Sequence, residues 1–223
     1  MTASAKESPQ PETQPSFDAS FRRALADLFA WRRDVRRFRR DPVDPALFEE
    51  LLDLACLAPS VGNSQPWRFV TVEEPGRRAR IRTNFEDCNA QALGGYSGPK
   101  AELYARLKLE GLNEAPLHLA VFADAATPAG AGLGRQTMPE TLRYSAVLAV
   151  HTLWLAARAH GLGVGWVSIL DPAAMAEVLE TPPGWSLVAY LCIGYPVEEH
   201  LDPELERRGW QPREAVCRQV LRR

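Results

Sequence analysis

Cysteine is scarce and scattered: the 223 residues hold Cys56, Cys88, Cys192 and Cys217, with no C-x-x-C pair. That spacing offers neither a zinc site nor a disulfide framework, and it suits a reducing, cytoplasmic setting. An excess of charge is missing too, because 26 Lys and Arg face 28 Asp and Glu for a formal net charge of −2. A chain so balanced is not a general nucleic-acid binder, and its arginines must act locally rather than as a field. His118, His151, His160 and His200 show no ligand spacing, so no metal site is expected. Internal repeats are absent. The one long apolar run, Ala146 to Val167, is interrupted by His151, Arg158 and His160. It reads as a buried helix followed by a strand and not as a membrane span. The glycines of residues 125–135 lack the order of a dinucleotide fingerprint and receive no cofactor role.

What is present is ordinary globular material, 46% hydrophobic and 24% charged. Residues 1–16 are polar and proline-rich and are expected to form a disordered tail, with little apolar surface to bury. Residues 17–223 are long enough for one domain with a proper core. Local signals place its elements. Asp18 is a plausible N-cap for a helix from Phe17 to Ala30, and Asp44-Pro45 opens a second that stops before Pro59. Trp67 to Val72 reads as a strand and Pro75 to Ala92 as a helix. A short helix from Ala101 to Leu112, set between glycine and proline breaks, reads as a lid insertion near residues 93–115, or equally as a surface excursion. Leu117 to Ala123 is a strand, and Thr137-Met138-Pro139-Glu140 a capping box for a helix to His160 that is apolar nearly all round. Such a helix is buried in a core or at a subunit interface. Strands over 164–170 and 187–193, with an Asp171-Pro172 helix start between them, complete an α+β pattern: a central sheet flanked by helices.

Two stretches carry the chemistry. The first is Arg32-Arg33-Asp34-Val35-Arg36-Arg37-Phe38, four arginines around one carboxylate directly after a helix. On a helical or tightly turned backbone Arg32 and Arg36 would face one partner, and guanidinium groups favour a phosphate. Asp34 is expected to stay ionised, its pKa depressed by the flanking cations. Alone, the stretch is as well explained by a solvated charge run. The second stretch, Ala58-Pro59-Ser60-Val61-Gly62-Asn63-Ser64-Gln65-Pro66-Trp67, joins a helix end to a strand with small residues and many backbone N–H groups, which suits close approach to a flat heterocycle.

Together with the glycine-rich run Gly161 to Ser168, these stretches resemble the flavin-binding signature of the nitroreductase superfamily, from Phe21 to Trp210. The resemblance implies a nitroreductase-like fold with a mostly antiparallel sheet, a homodimer, and FMN held by Arg32, Arg33, Asp34, Val35, Arg36, Ser60, Leu109 and Ser168. Arg207 or Arg208 in the tail is a further candidate for the phosphate.

One departure is informative, because Asp34 stands where ordinary members carry serine or threonine. With Gly165-Trp166-Val167-Ser168 and the Tyr96 to Pro116 insertion, it resembles the branch that destroys its own flavin. That branch fragments reduced FMN with molecular oxygen to 5,6-dimethylbenzimidazole and D-erythrose 4-phosphate, for cobalamin. The resemblance then implies catalytic roles for Asp34, as acid–base group at a ribityl hydroxyl, and Ser168, near the reactive ring nitrogen. Leu109 would touch the flavin from the lid. A separate NAD(P)H-dependent flavin reductase would supply the reduced FMN. An NAD(P)H-dependent nitroreductase or flavin reductase, and a non-catalytic FMN-binding protein, are the alternatives.

Overall fold

The computed structural model describes residues 15–214 and 218–223, so most of the expected tail and Cys217 lie outside the described residues. Helices are α1 (Ala19–Trp31), α2 (Pro45–Ala55), α3 (Pro75–Leu93), α4 (Gly98–Ala105), α5 (Thr141–Ala159), α6 (Pro172–Val178) and α7 (Glu204–Arg207). Strands are β1 (Trp67–Thr71), β2 (Leu117–Asp124), β3 (Gly163–Val167) and β4 (Trp185–Gly194), in the order β1-β2-β4-β3, every neighbouring pair antiparallel.

Strand alternation divides the core. Leu119 and Val121 of β2, with Ala189, Leu191 and Ile193 of β4, pack against Phe48, Leu51 and Ala55 of α2 and Val150, Leu153 and Ala157 of α5. Ala120, Phe122, Tyr190 and Cys192 point the other way, onto Ile81 and Phe85 of α3 and Met175 and Val178 of α6. Each large apolar side chain fully buried this way contributes about 1.5–3 kcal/mol. His118 sits within this core, its Nδ1 2.8 Å from the Tyr190 hydroxyl, and burial pushes its pKa down to about 3. It is a structural histidine.

The local caps form as expected. Asp18 accepts from Phe21 N, Asp44 from Ala46 N, and Asp171 from Ala173 N and Ala174 N. The capping box does not. Glu140 makes no side-chain cap to α5, and Thr137 Oγ1 donates to Gly134 O at 3.4 Å, because the helix starts a turn later than the box requires. Nor is α5 buried all round: Tyr144, Val147 and Leu148 are exposed along one stripe. The insertion's helix α4 also starts earlier and is shorter than expected, leaving residues 106–116 irregular.

The feature that positions the site is how residues 32–38 lie on β3. α1 ends where Arg32 turns extended, at φ −67° and ψ 117°. Val35 N donates to Val164 O at 3.0 Å, and Asp34 forms a parallel bridge with Val164. Two glycines permit this approach. A Cβ on Gly165 would lie 2.1 Å from Val35 O, and one on Gly163 2.7 Å from Val35 Cγ2. Phe38, buried beyond them, packs where a Cβ on Gly111 would meet its ring at 2.4 Å.

Gly165→Ala is therefore expected to destabilise at or beyond the upper end of the roughly 1–3 kcal/mol typical of overpacking, because it meets backbone. Gly163→Ala, which meets a side chain able to turn, should cost less. Urea unfolding midpoints check the order, and equal losses would contradict it.

Candidate functional site

The extended backbone sends alternate side chains of the arginine run to opposite sides. This replaces the helical alignment of Arg32 with Arg36 expected from spacing. Arg33 donates through Nε to Leu201 O at 2.7 Å, and Arg37 pairs with Glu204 at 2.8 Å and Glu198 at 3.1 Å. These two fasten the segment after β4. Arg36 points elsewhere, donating through Nε to Asp34 Oδ2 at 2.8 Å and through Nη1 to Lys108 O at 2.9 Å. Arg32 has no carboxylate partner among the described residues, and its guanidinium lies 5.1 Å from the Trp154 ring centroid.

Asp34 is held at both oxygens: Oδ1 accepts from Trp166 N at 2.9 Å, and Oδ2 from Arg36. A carboxylate has roughly four acceptor sites, so two remain for another donor. Its side chain is 32% exposed, which leaves it reachable. Burial is the largest influence on its pKa and raises it, outweighing the opposing Arg36 charge and the Trp166 hydrogen bond. The depression expected from flanking arginines is overturned, because Arg33 and Arg37 turn away and only Arg36 is in contact.

Arg33, Asp34, Val35 and Arg36 line one concavity together with Trp154 and Arg158 of α5 and, from the tail, Glu198, Glu199, Glu204 and Arg207. Most cations here are matched: Arg158 pairs with Glu199, and Arg207 lies 3.6 Å from Asp202. Of the two tail arginines it is Arg207 that lines the concavity, while Arg208 pairs with Glu204 at 3.5 Å. Arg32 lines the adjoining cleft with Phe29, Arg33 and Arg213.

The other expected residues are more distant. Leu109 packs on the core, one residue after the carbonyl that Arg36 holds. The insertion's other end is fixed to the tail by Tyr96, Tyr104 and Trp210, whose ring centroids lie 5.0–5.9 Å apart. Ser168 falls just beyond β3 and is exposed, not within the strand as expected. Ser60 is not brought to Asp34 within one chain; it lines a separate depression with Val61, Thr141, Tyr144 and Leu148.

Residues 29–195 match the family model described as Nitroreductase family. The chain belongs to the nitroreductase family. It is 62% identical over 201 residues to a 5,6-dimethylbenzimidazole synthase of Rhodospirillum rubrum, covering 90% of this chain and 95% of that one. A 5,6-dimethylbenzimidazole synthase of Rhodobacter capsulatus is 50% identical over 196 residues, 88% and 95% of the two chains. Among solved structures, oxidised iodotyrosine deiodinase bound to FMN and 3-iodo-L-tyrosine aligns with a TM-score of 0.68 at 28% identity, covering 89% of this chain and 97% of that one. The fold these nitroreductase relatives share is the α+β arrangement described above.

Sequence reasoning missed Trp154, Arg158, Lys108, Glu199 and Glu204. The i,i+4 pair Trp154 and Arg158 on α5 was a usable signal, since a tryptophan and an arginine on one face of an apolar helix need a reason. The acidic tail had none, because its partners are distant in sequence, Arg158 lying 41 residues before Glu199 and Arg37 167 before Glu204.

The electrostatics can be read directly. The Asp34 carboxyl, followed by isotope-edited NMR, should titrate above the ordinary aspartate range. Arg36→Met, which keeps bulk and removes the charge opposing burial, should raise the midpoint further. A midpoint below the ordinary range in the parent chain contradicts the dominance of burial. Because the folded-state pKa is raised, Asp34 favours folding at acid pH, and that contribution is lost as pH rises through its folded pKa.

Proposed function

We propose that this protein is a 5,6-dimethylbenzimidazole synthase, forming 5,6-dimethylbenzimidazole and D-erythrose 4-phosphate from reduced FMN and molecular oxygen, for the lower ligand of cobalamin. The observation that carries the reading is Asp34: a carboxylate held at both oxygens, raised in pKa and still reachable, at the flavin motif of a chain closely similar to two such synthases.

The donor set fits FMN. Arg32, without a carboxylate partner, and Arg36, with one, are the cations left for a phosphate, with Arg207 beside them. Val35, through the backbone bond that fixes the stretch on β3, and Arg33, through its bond to Leu201 O, hold that stretch in place. Reduced FMN supplies the electrons for oxygen and the carbon skeleton of the product. Asp34 accepts a proton from a ribityl hydroxyl, the requirement for breaking the neighbouring carbon–carbon bond. Its raised pKa makes it a better base than a depressed one would be, which favours this role over that of a mere partner for Arg36. Ser168, exposed at the end of β3, offers a hydroxyl to the ring, and Leu109 and the insertion exclude bulky partners and water from it. A separate NAD(P)H-dependent flavin reductase supplies reduced FMN, and the reaction is cytoplasmic. Among the described residues no helix is long and apolar enough to cross a membrane.

The protein acts as a homodimer, and Ser60 serves the flavin of the partner copy. The exposed stripe Tyr144, Val147 and Leu148 supports this, beside the depression that holds Ser60. Light scattering at micromolar concentration should give twice the chain mass, and a monomer with or without FMN would contradict it.

Substitutions test the chemistry. Arg32→Ala or Arg36→Ala should weaken FMN binding, while Arg37→Ala, engaged with Glu198 and Glu204, should change it little; equal losses would indicate a diffuse basic patch. Asp34→Asn should bind reduced FMN about as well and still permit its oxidation. Dimethylbenzimidazole formation should fall by a factor on the order of 10²–10⁴, the usual contribution of a positioned base. Near-normal product from Asp34→Asn overturns the assignment.

A further inference from the structure

Residues 107–110 of the insertion belong to no helix or strand, yet the Lys108 carbonyl has a fixed partner, accepting from Arg36 Nη1 at 2.9 Å. With no ladder to set its direction, that carbonyl depends on side chains. The Lys108 ammonium lies 3.4 Å from Glu110 Oε1 and 3.3 Å from Glu114 Oε1, and the other Glu110 oxygen accepts from Leu112 N. This knot is largely buried, with Lys108 at 25% and Glu110 at 15% side-chain exposure, so it is screened less than a surface pair. Its core side is anchored as well. Leu112 and Ala115 are buried there, and Gly111 rests so close on Phe38 that a Cβ would meet the ring at 2.4 Å. Lys108 therefore has both ends engaged. Its ammonium closes the 108–114 turn, and its carbonyl holds Arg36, whose Nε is 2.8 Å from Asp34 Oδ2.

We propose that Lys108 is a positioning residue for Asp34: gathered by Glu110 and Glu114, it aims its carbonyl so that Arg36 stays on the Asp34 carboxylate. The functional consequence rests on the acid–base role proposed for Asp34 above. A guanidinium gripped at Nη1 as well as Nε keeps one orientation. Held through Nε alone it turns more freely, and its charge then stabilises the carboxylate less. The groups that face Asp34 are Arg36, Trp166 N, Glu204 of α7, and Cys192 of β4, whose thiol pKa burial pushes up. Arg36 is the cation of that set, so its aim decides how far burial raises the carboxyl. Lys108 thus tunes the base through Arg36.

The test follows the Asp34 carboxyl midpoint by isotope-edited NMR on the full chain, and the pH profile of kcat for dimethylbenzimidazole formation. Lys108→Met should raise the midpoint by about one pH unit, the size of one hydrogen bond to a charged group, and move the kcat profile upward with it. Lys108→Arg, which keeps both carboxylate contacts, should restore both. Glu114→Gln should shift the midpoint the same way by less, and it carries the test if Lys108→Met fails to fold. In an Arg36→Met background the carbonyl has nothing to hold, so Lys108→Met should add no shift, the non-additivity expected of coupled sites. An unmoved or lowered midpoint in Lys108→Met and Glu114→Gln overturns the proposal, as does failure of Lys108→Arg to restore it. A further shift in the Arg36→Met background also overturns it, because the lysine charge would then act directly. Midpoints that shift as expected in a chain forming no dimethylbenzimidazole would uphold the positioning and count against the proposed function alone.

Discussion

The two hydrogen bonds of Asp34 join three parts of the molecule. Through Trp166 N the carboxylate ties the arginine run to β3, and through Arg36 it reaches Lys108 O and the insertion. Without Gly163 and Gly165 the run could not lie close enough for the first bond, and Phe38, packed in the core, helps hold its far end together with the Arg37 ion pairs. A carboxylate in this position is costly to bury, and its two donors only partly offset that cost, so its pKa rises. The same burial raises its basicity and leaves it acceptor capacity to spare. Structure and chemistry here are one constraint.

Around this clamp the tail divides the arginines by role. Arg33 and Arg37 are engaged by Leu201 O, Glu198 and Glu204, and so hold the segment after β4 against the motif. Arg32 stacks on Trp154, an orientation that fixes the guanidinium without neutralising it. A run of like charges that looks redundant in sequence thus separates into two anchors, one cation paired with Asp34, and one, Arg32, with no carboxylate partner among the described residues. The division follows from backbone alternation and from where the acidic residues return.

Much of this was legible in the sequence where the cause is local. The caps at Asp18, Asp44 and Asp171 follow from side chains two or three residues from the N–H groups they satisfy. Strand positions followed from apolar runs, and the flavin motifs from their residue pattern. The orientation of Arg32 and Arg36 was not legible, because it turns on α1 stopping at Trp31, and their spacing reads equally well on helix or strand. Thr137 to Glu140 had the capping-box pattern but not the backbone to use it. The pKa of Asp34 was misjudged in sign because burial, the larger influence, is a tertiary property. Ser60 stood in the motif, yet its separation from Asp34 within one chain appears only in three dimensions.

The central claim is that the flavin is fragmented and not merely turned over. It is tested most directly by a mass balance on FMN after the protein is incubated with reduced FMN in air. One dimethylbenzimidazole and one erythrose 4-phosphate should form for each FMN that disappears through the enzyme, and neither product when oxygen is excluded. Quantitative recovery of intact oxidised FMN, with no dimethylbenzimidazole by mass spectrometry, would contradict it.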